Sequence, residues 1–215
     1  MSVVQLKGVE KSYHGRALFT GVDLDVQPGS AVGIQGENGS GKSVLLKILT
    51  RFTSPDAGSV EIDEKYLSRD RVFPEGFGVM IDRPGYIPNQ TGFENLQSLA
   101  SIRKTISAEK VRDTMLLVGL DPDLPQKAKH YSLGMKQRLG LAQAIMEDQP
   151  VLILDEPLNA LDEEMATTMR MLLRRLVDEG RTLVMTSHQR EDIEFICDHV
   201  YRIRQSRLIA DEKTS

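Results

Sequence analysis

The sequence is poor in several residue types that would signal particular classes of protein. It contains one cysteine, no tryptophan and 5% aromatic residues in 215 positions. A single cysteine excludes an internal disulfide, which fits a reducing compartment. That cysteine, Cys197, follows Ile196 in an apolar context, so we interpret it as a small buried side chain without a chemical role.

Long apolar runs are also missing. No run approaches the roughly 18 residues needed to cross a bilayer, and the longest ones, such as Val151–Leu154, have the length of a strand. Residues 1–10 lack a basic start followed by an apolar stretch, so no signal peptide is predicted. If the function involves a membrane, another chain must therefore supply the membrane-spanning segments.

The charge balance lacks a basic excess. Lys and Arg total 27 against 31 Asp and Glu, for a formal net charge of −4. A mildly acidic chain argues against bulk binding of nucleic acid, although it leaves room for a local basic patch. The apolar fraction of 40% is enough for a sizeable core in one large domain.

Two kinds of strand pattern are present. Residues 22–26 alternate apolar and polar side chains, and with 3–7 and 59–62 they predict a small antiparallel sheet near the N-terminus. Buried strands are predicted from three short apolar runs, at 31–34, 151–154 and 183–185. Helical patterns lie between those runs, which predicts an α/β core with a mainly parallel sheet covered on both faces.

The helical patterns fall into two groups. One helix of the core carries an apolar face and ends near Gly180; the face consists of Met165, Met169, Leu172 and Leu176. Residues 91–147 contain helical patterns without a convincing strand, so we interpret this segment as a helical insertion. Its helices are predicted at 95–103, at 108–118 between Ser107 and Gly119, and around Leu139, Ala142 and Ile145.

A glycine-rich motif follows the first buried run. Residues 36–43 match G-x-x-x-x-G-K-[ST], between a predicted strand and a predicted helix. Such a loop wraps its amides around phosphate, Lys42 bridges the β- and γ-phosphates, and the Ser43 hydroxyl binds Mg²⁺. A chance match has odds on the order of one in a hundred. The predicted nucleotide contacts are Gly36, Glu37, Asn38, Gly39, Ser40, Gly41, Lys42, Ser43 and Val44.

Two carboxylates end the second buried run. Asp155 is predicted to orient Mg²⁺, and Glu156 to act as general base on the attacking water. An acidic loop in solvent is an equally good interpretation of this pair alone, but the phosphate loop favours function. His188 follows the third run, so all these groups are expected at one edge of the sheet. The other histidines, His14, His130 and His199, lack such support and are expected to be structural or solvated.

Further motifs resemble the ABC ATPase family. Residues 131–138, Tyr-Ser-Leu-Gly-Met-Lys-Gln-Arg, resemble its LSGGQ signature, and 159–162, Asn-Ala-Leu-Asp, resemble its D-loop. His188 is similar to the switch histidine, and Tyr13 to the aromatic residue that stacks on adenine. These motifs occur in the family order and span nearly the whole chain. The resemblance implies an ATP hydrolase with a P-loop NTPase core, an N-terminal antiparallel β subdomain and an inserted helical subdomain.

The resemblance also implies a second phosphate-binding element. Ser132 is predicted to cap the following helix, and its hydroxyl with the Gly134 and Met135 amides would contact a phosphate. Capping alone is the simpler interpretation of Ser132 without the other motifs. In the family, each signature closes on the ATP held by a partner's phosphate loop, which implies a head-to-tail homodimer or a heterodimer of cassettes.

The sequence departs from the family pattern in two places. Met135 and Lys136 replace residues of the signature, and Asp82 stands where the Q-loop has glutamine. Asp82 can bind Mg²⁺ directly or act through water, since an ionised carboxylate only accepts hydrogen bonds. Acidic replacements of this kind and the segment 84–96 resemble the branch that exports bacitracin and lantibiotics.

The expected organisation is a single domain over 1–215 with three parts. The antiparallel β subdomain is expected at about 1–30 and 59–66, the core at about 31–82 and 148–215, and the helical subdomain at about 85–147.

The predicted function is that of the ATP-hydrolysing motor of a membrane transporter, peripheral on the cytoplasmic face of the cell membrane. Polytopic membrane subunits would bind near residues 82–95, where Tyr86, Ile87 and Phe93 are expected to be partly exposed. Export is slightly favoured by the branch resemblance. A soluble ABC ATPase acting on ribosomes or DNA is the alternative, although nucleic acid is not expected as a partner. A nucleotide-binding protein without turnover ranks lower, because Lys42 and Glu156 are both present.

Overall fold

The computed structural model describes residues 2–13, 15–68, 72–82 and 84–211; the predicted role of His14 and the ends of the predicted domain lie outside these ranges. Its strands are β1 (Val4–Tyr13), β2 (Arg16–Val26), β3 (Ala31–Gln35), β4 (Ala57–Ile62), β5 (Phe77–Met80), β6 (Val151–Leu154), β7 (Thr182–Thr186), β8 (His199–Arg204) and β9 (Arg207–Asp211). Its α-helices are α1 (Lys42–Leu49), α2 (Gly92–Arg103), α3 (Ala108–Leu117), α4 (Leu133–Ile145), α5 (Glu163–Asp178) and α6 (Arg190–Ile196). Short 3₁₀ turns occur at Glu64–Tyr66 and Ala128–His130.

An antiparallel sheet lies at the N-terminal end of the chain, as predicted. Its order is β2-β1-β4. In β2 the alternation is realised, because Val22, Leu24 and Val26 are buried while Asp23 and Asp25 are exposed. One face of this sheet therefore packs on the core and the other faces solvent.

The central sheet has the order β5-β6-β7-β3-β8-β9. The first five strands in this order run parallel, and β9 returns antiparallel to β8. All residues of β6 and β7 are buried, which explains why these strands appear in the sequence as continuous apolar runs. The prediction of a mainly parallel sheet is confirmed.

The two faces of the central sheet pack against different partners. In β6, Leu152 and Leu154 join a buried cluster formed mainly by α2 to α6. Val151 and Ile153 join a second cluster built with α1 and the antiparallel sheet. Successive side chains of a strand point to opposite faces, so one short strand anchors both layers. No helix in the described residues is long and apolar enough to span a membrane.

The inserted segment is helical, as predicted, and its helices have polar N-caps. Thr91 and Glu94 form a reciprocal capping box at α2, and Ser107 caps α3. Helix α3 ends one residue earlier than expected, with Val118 as its C-cap and Gly119 after it in a left-handed conformation. The same offset occurs at the end of α5, where Gly180 follows the C-cap Glu179.

Candidate functional site

The candidate site lies at the carboxyl edge of the parallel strands. The phosphate loop follows β3, the acidic pair follows β6 and His188 follows β7. A cavity of about 990 Å³ opens there. Its wall includes Gly36, Glu37, Asn38, Gly39, Ser40, Ser187 and His188, together with the arginines Arg16, Arg190, Arg202 and Arg204. The topology therefore gathers residues from distant parts of the chain, as expected for an open parallel sheet.

The phosphate loop encloses its own lysine. Lys42 Nζ donates to the Gly36 carbonyl at 2.9 Å, and only 8% of Lys42 is exposed. Gly41 has φ 102°, and a Cβ there would lie 2.8 Å from Cζ of Phe19, so both the backbone and the space require glycine. The loop is thus held in shape around a buried cation.

One polar atom of the loop fits a bound ligand. The Ser40 hydroxyl is buried and has no hydrogen-bond partner within the part of the chain that the structure describes. A buried hydroxyl without a hydrogen-bond partner costs free energy, so the loop is suited to bind a polar ligand atom such as a phosphate oxygen. The adjoining N-terminus of α1 favours a negative charge at the same place.

Glu156 lies in a strained bend directly after Asp155. Its φ of 48° is left-handed, which separates its side chain from that of Asp155. Thr186 holds both residues, because its hydroxyl donates to Asp155 Oδ1 at 2.6 Å and accepts from the Glu156 amide at 2.9 Å. Two neighbouring carboxylates are therefore fixed in different places by one hydroxyl from β7.

The Glu156 carboxylate stands between two basic groups. Its Oε1 is 3.8 Å from Lys42 Nζ, and its Oε2 is 2.8 Å from His188 Nδ1. The His188 amide also donates to Oε2, at 3.2 Å. Glu156 is 22% exposed and His188 is 52% exposed, so the pair is open to solvent and to a ligand. Three predicted catalytic residues are thus in one place.

The predicted magnesium ligands fit a hard cation only in part. Among the described ranges, no group of three or more His, Cys, Asp or Glu side chains is placed to hold a metal. Mg²⁺ bound with a nucleotide needs few protein ligands, since phosphates and water complete its octahedron. Ser43 and the buried carboxylate of Asp155 suit that arrangement. Asp82 is instead engaged by Lys47, whose Nζ lies 2.7 Å from Asp82 Oδ2.

The signature motif begins α4 as a capped helix. Ser132 is the N-cap, and its hydroxyl accepts from the Met135 amide at 3.1 Å. That amide is therefore used for capping here, whereas the sequence predicted it as a phosphate contact. A Cβ on Gly134 would lie 2.9 Å from the Ala160 carbonyl oxygen, so the signature packs closely on the D-loop. None of these residues lines the described cavity at the phosphate loop.

Several contacts connect the signature helix to its surroundings. Gln137 donates to the Glu156 carbonyl at 2.7 Å, which ties α4 to the acidic pair. Arg138 donates to the Gly119 carbonyl. Burial lowers the pKa of the Arg138 guanidinium, while the charge of Asp162 opposes that effect. Lys136 places its Nζ 5.5 Å from the centre of the Tyr86 ring, so it faces the Q-loop segment of its own chain.

Sequence reasoning missed two residues that hold the site together. Gln137 lies within the signature motif, and Thr186 lies two residues before His188. Both are therefore close in sequence to predicted site residues. Their partners are 19 and 30 residues away, which no local pattern reveals. Tyr13, predicted to stack on adenine, ends β1 with 44% exposure and lies outside the described cavity wall.

Known proteins resemble this chain over most of its length. The family model for the ABC transporter domain matches residues 19–159. An uncharacterized ABC transporter ATP-binding protein, YybJ of Bacillus subtilis (strain 168), is 34% identical over 211 residues, covering 98% of this chain and 97% of YybJ. The bacitracin transport ATP-binding protein BcrA of Enterococcus faecalis is 34% identical over 215 residues, covering 99% and 70%.

A solved structure is similar along nearly the whole chain. The ATP-binding cassette MJ0796, in a dimeric post-hydrolysis state bound to ADP and Pi, superposes with a TM-score of 0.85 at 25% identity. The match covers 95% of this chain and 96% of that one. The α/β core, the antiparallel sheet and the helical insertion therefore form a known architecture.

Proposed function

The chain belongs to the ABC transporter family and is its ATP-hydrolysing subunit, and we propose that it powers export through separate membrane subunits. The observation that carries ATP hydrolysis is the position of the Glu156 carboxylate between Lys42 and His188. The preference for export rests on the similarity to BcrA, a bacitracin transport protein. The relatives do not favour the alternative, a soluble ABC ATPase acting on ribosomes or DNA.

In the proposed reaction, water attacks the γ-phosphorus of ATP and the bond to the β-phosphate oxygen breaks. Glu156 takes the proton of the attacking water as general base, and ADP and inorganic phosphate are the products. His188 holds the Glu156 carboxylate in place. Lys42 and the backbone amides of the phosphate loop stabilise the negative charge on the γ-phosphoryl group. Ser43 and Asp155 would hold Mg²⁺, which would supply positive charge to offset that of the phosphates.

The two predicted phosphate-binding elements of this chain lie apart. The signature residues Ser132 and Gly134 do not line the described cavity at the phosphate loop. We propose a head-to-tail dimer in which Ser132 and Gly134 of each copy contact the ATP held by the other. Support comes from MJ0796, whose post-hydrolysis structure is dimeric.

The test of the composite site is ATP-dependent dimerisation of Glu156→Gln. The variant keeps the shape of the side chain but removes the base, so bound ATP should persist. Size-exclusion chromatography with ATP and without Mg²⁺ is expected to give a dimer, and Ser132→Arg in the same background should return a monomer. A monomer that still binds ATP would contradict dimer formation by the isolated chain.

An exposed aromatic pair marks a surface suited to a membrane subunit. Phe52 and Phe73 are each 50% exposed, and their rings meet edge to face with centroids 5.1 Å apart. Phe73 also lines a cleft of about 310 Å³ together with Val72 and Arg103. Paired aromatics exposed beside a cleft commonly mark a protein interface. We propose that a short amphipathic helix of the membrane subunit docks there.

This surface partly shifts the predicted contact region at residues 82–95. Ile87 is 49% exposed, as that prediction requires. Tyr86 and Phe93 are half-buried and pack against the helical core cluster. We propose that Ile87, with the partly exposed Tyr86 and Phe93, also contacts the membrane subunit.

Docking can be tested with matched surface variants. A tagged wild-type chain is expected to co-purify a polytopic partner from detergent-solubilised membranes, and Phe73→Asp is expected to abolish that co-purification. Phe195→Asp is the control, because Phe195 is also an aromatic residue, 52% exposed, on α6. Loss of the partner from both variants, or from neither, would contradict the proposed surface.

A further inference from the structure

A buried ion pair lies behind the candidate site. Arg170 on α5 donates from Nε to Asp192 Oδ1 of α6 at 2.7 Å, and the two side chains are 6% and 2% exposed. The hydrogen bond to Asp192 raises the pKa of Arg170, with burial opposing it. Because desolvation offsets the attraction in such pairs, a buried pair is weak evidence for stability alone. Its geometry indicates another role.

The pair continues to the loop that carries His188. Ser187 donates from its hydroxyl to Asp192 Oδ2 at 2.9 Å, and the same hydroxyl accepts from the Gln189 amide at 3.0 Å. Both neighbours of His188 are therefore fixed by Asp192, one directly and one through Ser187. The His188 amide and ring nitrogen are the groups that reach Glu156.

The other side of the Arg170 guanidinium reaches the start of α5. Its Nη2 donates to Glu163 Oε1 at 3.1 Å. Glu163 is the first residue of α5 and follows Asp162, the N-cap that closes the D-loop. One planar cation thus binds an acid at the start of its own helix α5 and an acid on α6, which a lysine cannot do with the same fork of donors.

We propose that Arg170 is a positioning residue for hydrolysis, acting through Asp192 and Ser187 to hold His188 against Glu156. The proposal rests on the roles proposed above for Glu156 and His188. Reacting groups must be held closely, since a displacement of about 1 Å can cost on the order of a hundredfold in rate. We refer to the connected contacts of Arg170, Asp192 and Ser187 as the arginine relay.

The first experiment compares two arginines of the same helix. Arg170→Gln is expected to lower kcat by roughly ten- to a hundredfold and to leave KM within about twofold, because Arg170 and Asp192 do not line the cavity at the phosphate loop. Arg174→Gln is the matched control, since Arg174 lies one turn further on and binds Asp178 and Asp198 away from the cavity. It is expected to keep kcat. Equal losses in the two variants would overturn the relay.

A second set of variants separates positioning from folding. Ser187→Ala removes one hydroxyl and leaves the ion pair in place, so it should fold even if Arg170→Gln does not. It is expected to lower kcat in the same direction, and combining it with Arg170→Gln should add little, because both act on one chain of contacts. Arg170→Lys should restore part of kcat. Thermal unfolding recorded beside kcat identifies a merely structural effect: kcat would then follow Tm across all variants, which would overturn the proposal.

The variant His188→Ala separates a failure of the proposed role of His188 from a failure of the arginine relay alone. Retained turnover in His188→Ala would refute the proposed role of His188 and the relay with it. Lost turnover in His188→Ala beside wild-type kcat in both Arg170→Gln and Ser187→Ala would refute the relay alone. Lost turnover in His188→Ala with reduced kcat in the relay variants supports both.

Discussion

The phosphate loop and the signature are both proposed to bind phosphate at helix N-termini, but they are built differently. The loop follows β3 of the central sheet, has a left-handed backbone at Gly41, and surrounds a lysine that is 8% exposed. The signature is a capped helix start with an exposed Ser132. Lys42, His188 and the acids Asp155 and Glu156 lie near the loop, whereas the signature presents a hydroxyl and amides, with Lys136 directed at Tyr86.

The difference indicates that the phosphate loop is preorganised within one chain, whereas the signature is not. The loop has a buried cation and a buried Ser40 hydroxyl without a hydrogen-bond partner among the described residues, so it is prepared for an anion before ATP arrives. The signature is proposed to act when a second cassette supplies the nucleotide. Changes on the loop side should therefore be felt by a single chain, and changes on the signature side only by a dimer.

The largest effect on ATP turnover is expected from a change at the proposed general base, Glu156. Glu156→Gln should lower ATP turnover by roughly 10²- to 10⁴-fold, because general base catalysis is lost while the contact with His188 remains possible. Steady-state phosphate release measures this. Equal turnover in wild type and variant would break the assignment of chemistry to the loop side.

A smaller effect is expected for nucleotide binding by one chain. Lys42→Ala should weaken ATP binding by roughly 10- to 100-fold, because a hydrogen bond to a charged group contributes about 1.5–3 kcal/mol. Calorimetric titration of the monomer without Mg²⁺ is the measurement. Ser132→Ala is the control and should leave monomer affinity unchanged. If Ser132→Ala weakened binding as much, the two elements would not differ as described.

A stability effect is expected for the hydroxyl that holds the acidic pair. Thr186→Val should lower the free energy of unfolding by about 1–3 kcal/mol, because it leaves the Glu156 amide and Asp155 carboxylate without that partner. It should also lower kcat. Thr182→Val, at the other end of β7, is the control: it loses one hydrogen bond from Gly29 and should keep kcat. Urea denaturation measures the loss of stability in each variant, and turnover assays show whether kcat falls only in Thr186→Val.

The smallest effect is expected at the Q-loop. The ion pair of Lys47 and Asp82 joins side chains that are 32% and 56% exposed, so it should contribute about 0.2–1 kcal/mol. A double-mutant cycle with Lys47→Met and Asp82→Asn measures it, and the coupling should shrink as salt increases. A coupling above about 2 kcal/mol would indicate that this pair belongs to the rigid region around the loop.

Local patterns predicted much of this molecule because they report local physics. The buried strands β6 and β7 were predicted from apolar runs, and Ser107 and Ser132 from helix-cap chemistry. The ends of α3 and α5 were displaced by one residue, since a glycine can occupy the position after the C-cap as well as the cap itself. Such boundaries depend on the last hydrogen bonds of the helix.

Contacts between distant segments could not be predicted in the same way. Thr186 meets Glu156 across 30 residues, and Arg170 meets Asp192 across 22 residues. Neither pair lies in a motif with a fixed spacing.

The sequence by itself determined the chemistry: a phosphate loop with its lysine, two acids at a strand end and a histidine after the next strand. It did so because these functions require particular side chains at fixed local spacings. Only the tertiary structure decided which groups support them, through Thr186, Gln137 and the arginine relay. It also decided that Asp82 meets Lys47 and that the signature lies outside the described cavity wall. The physical reason is that packing of the sheet and helices, rather than any local pattern, sets distances between segments far apart in the chain.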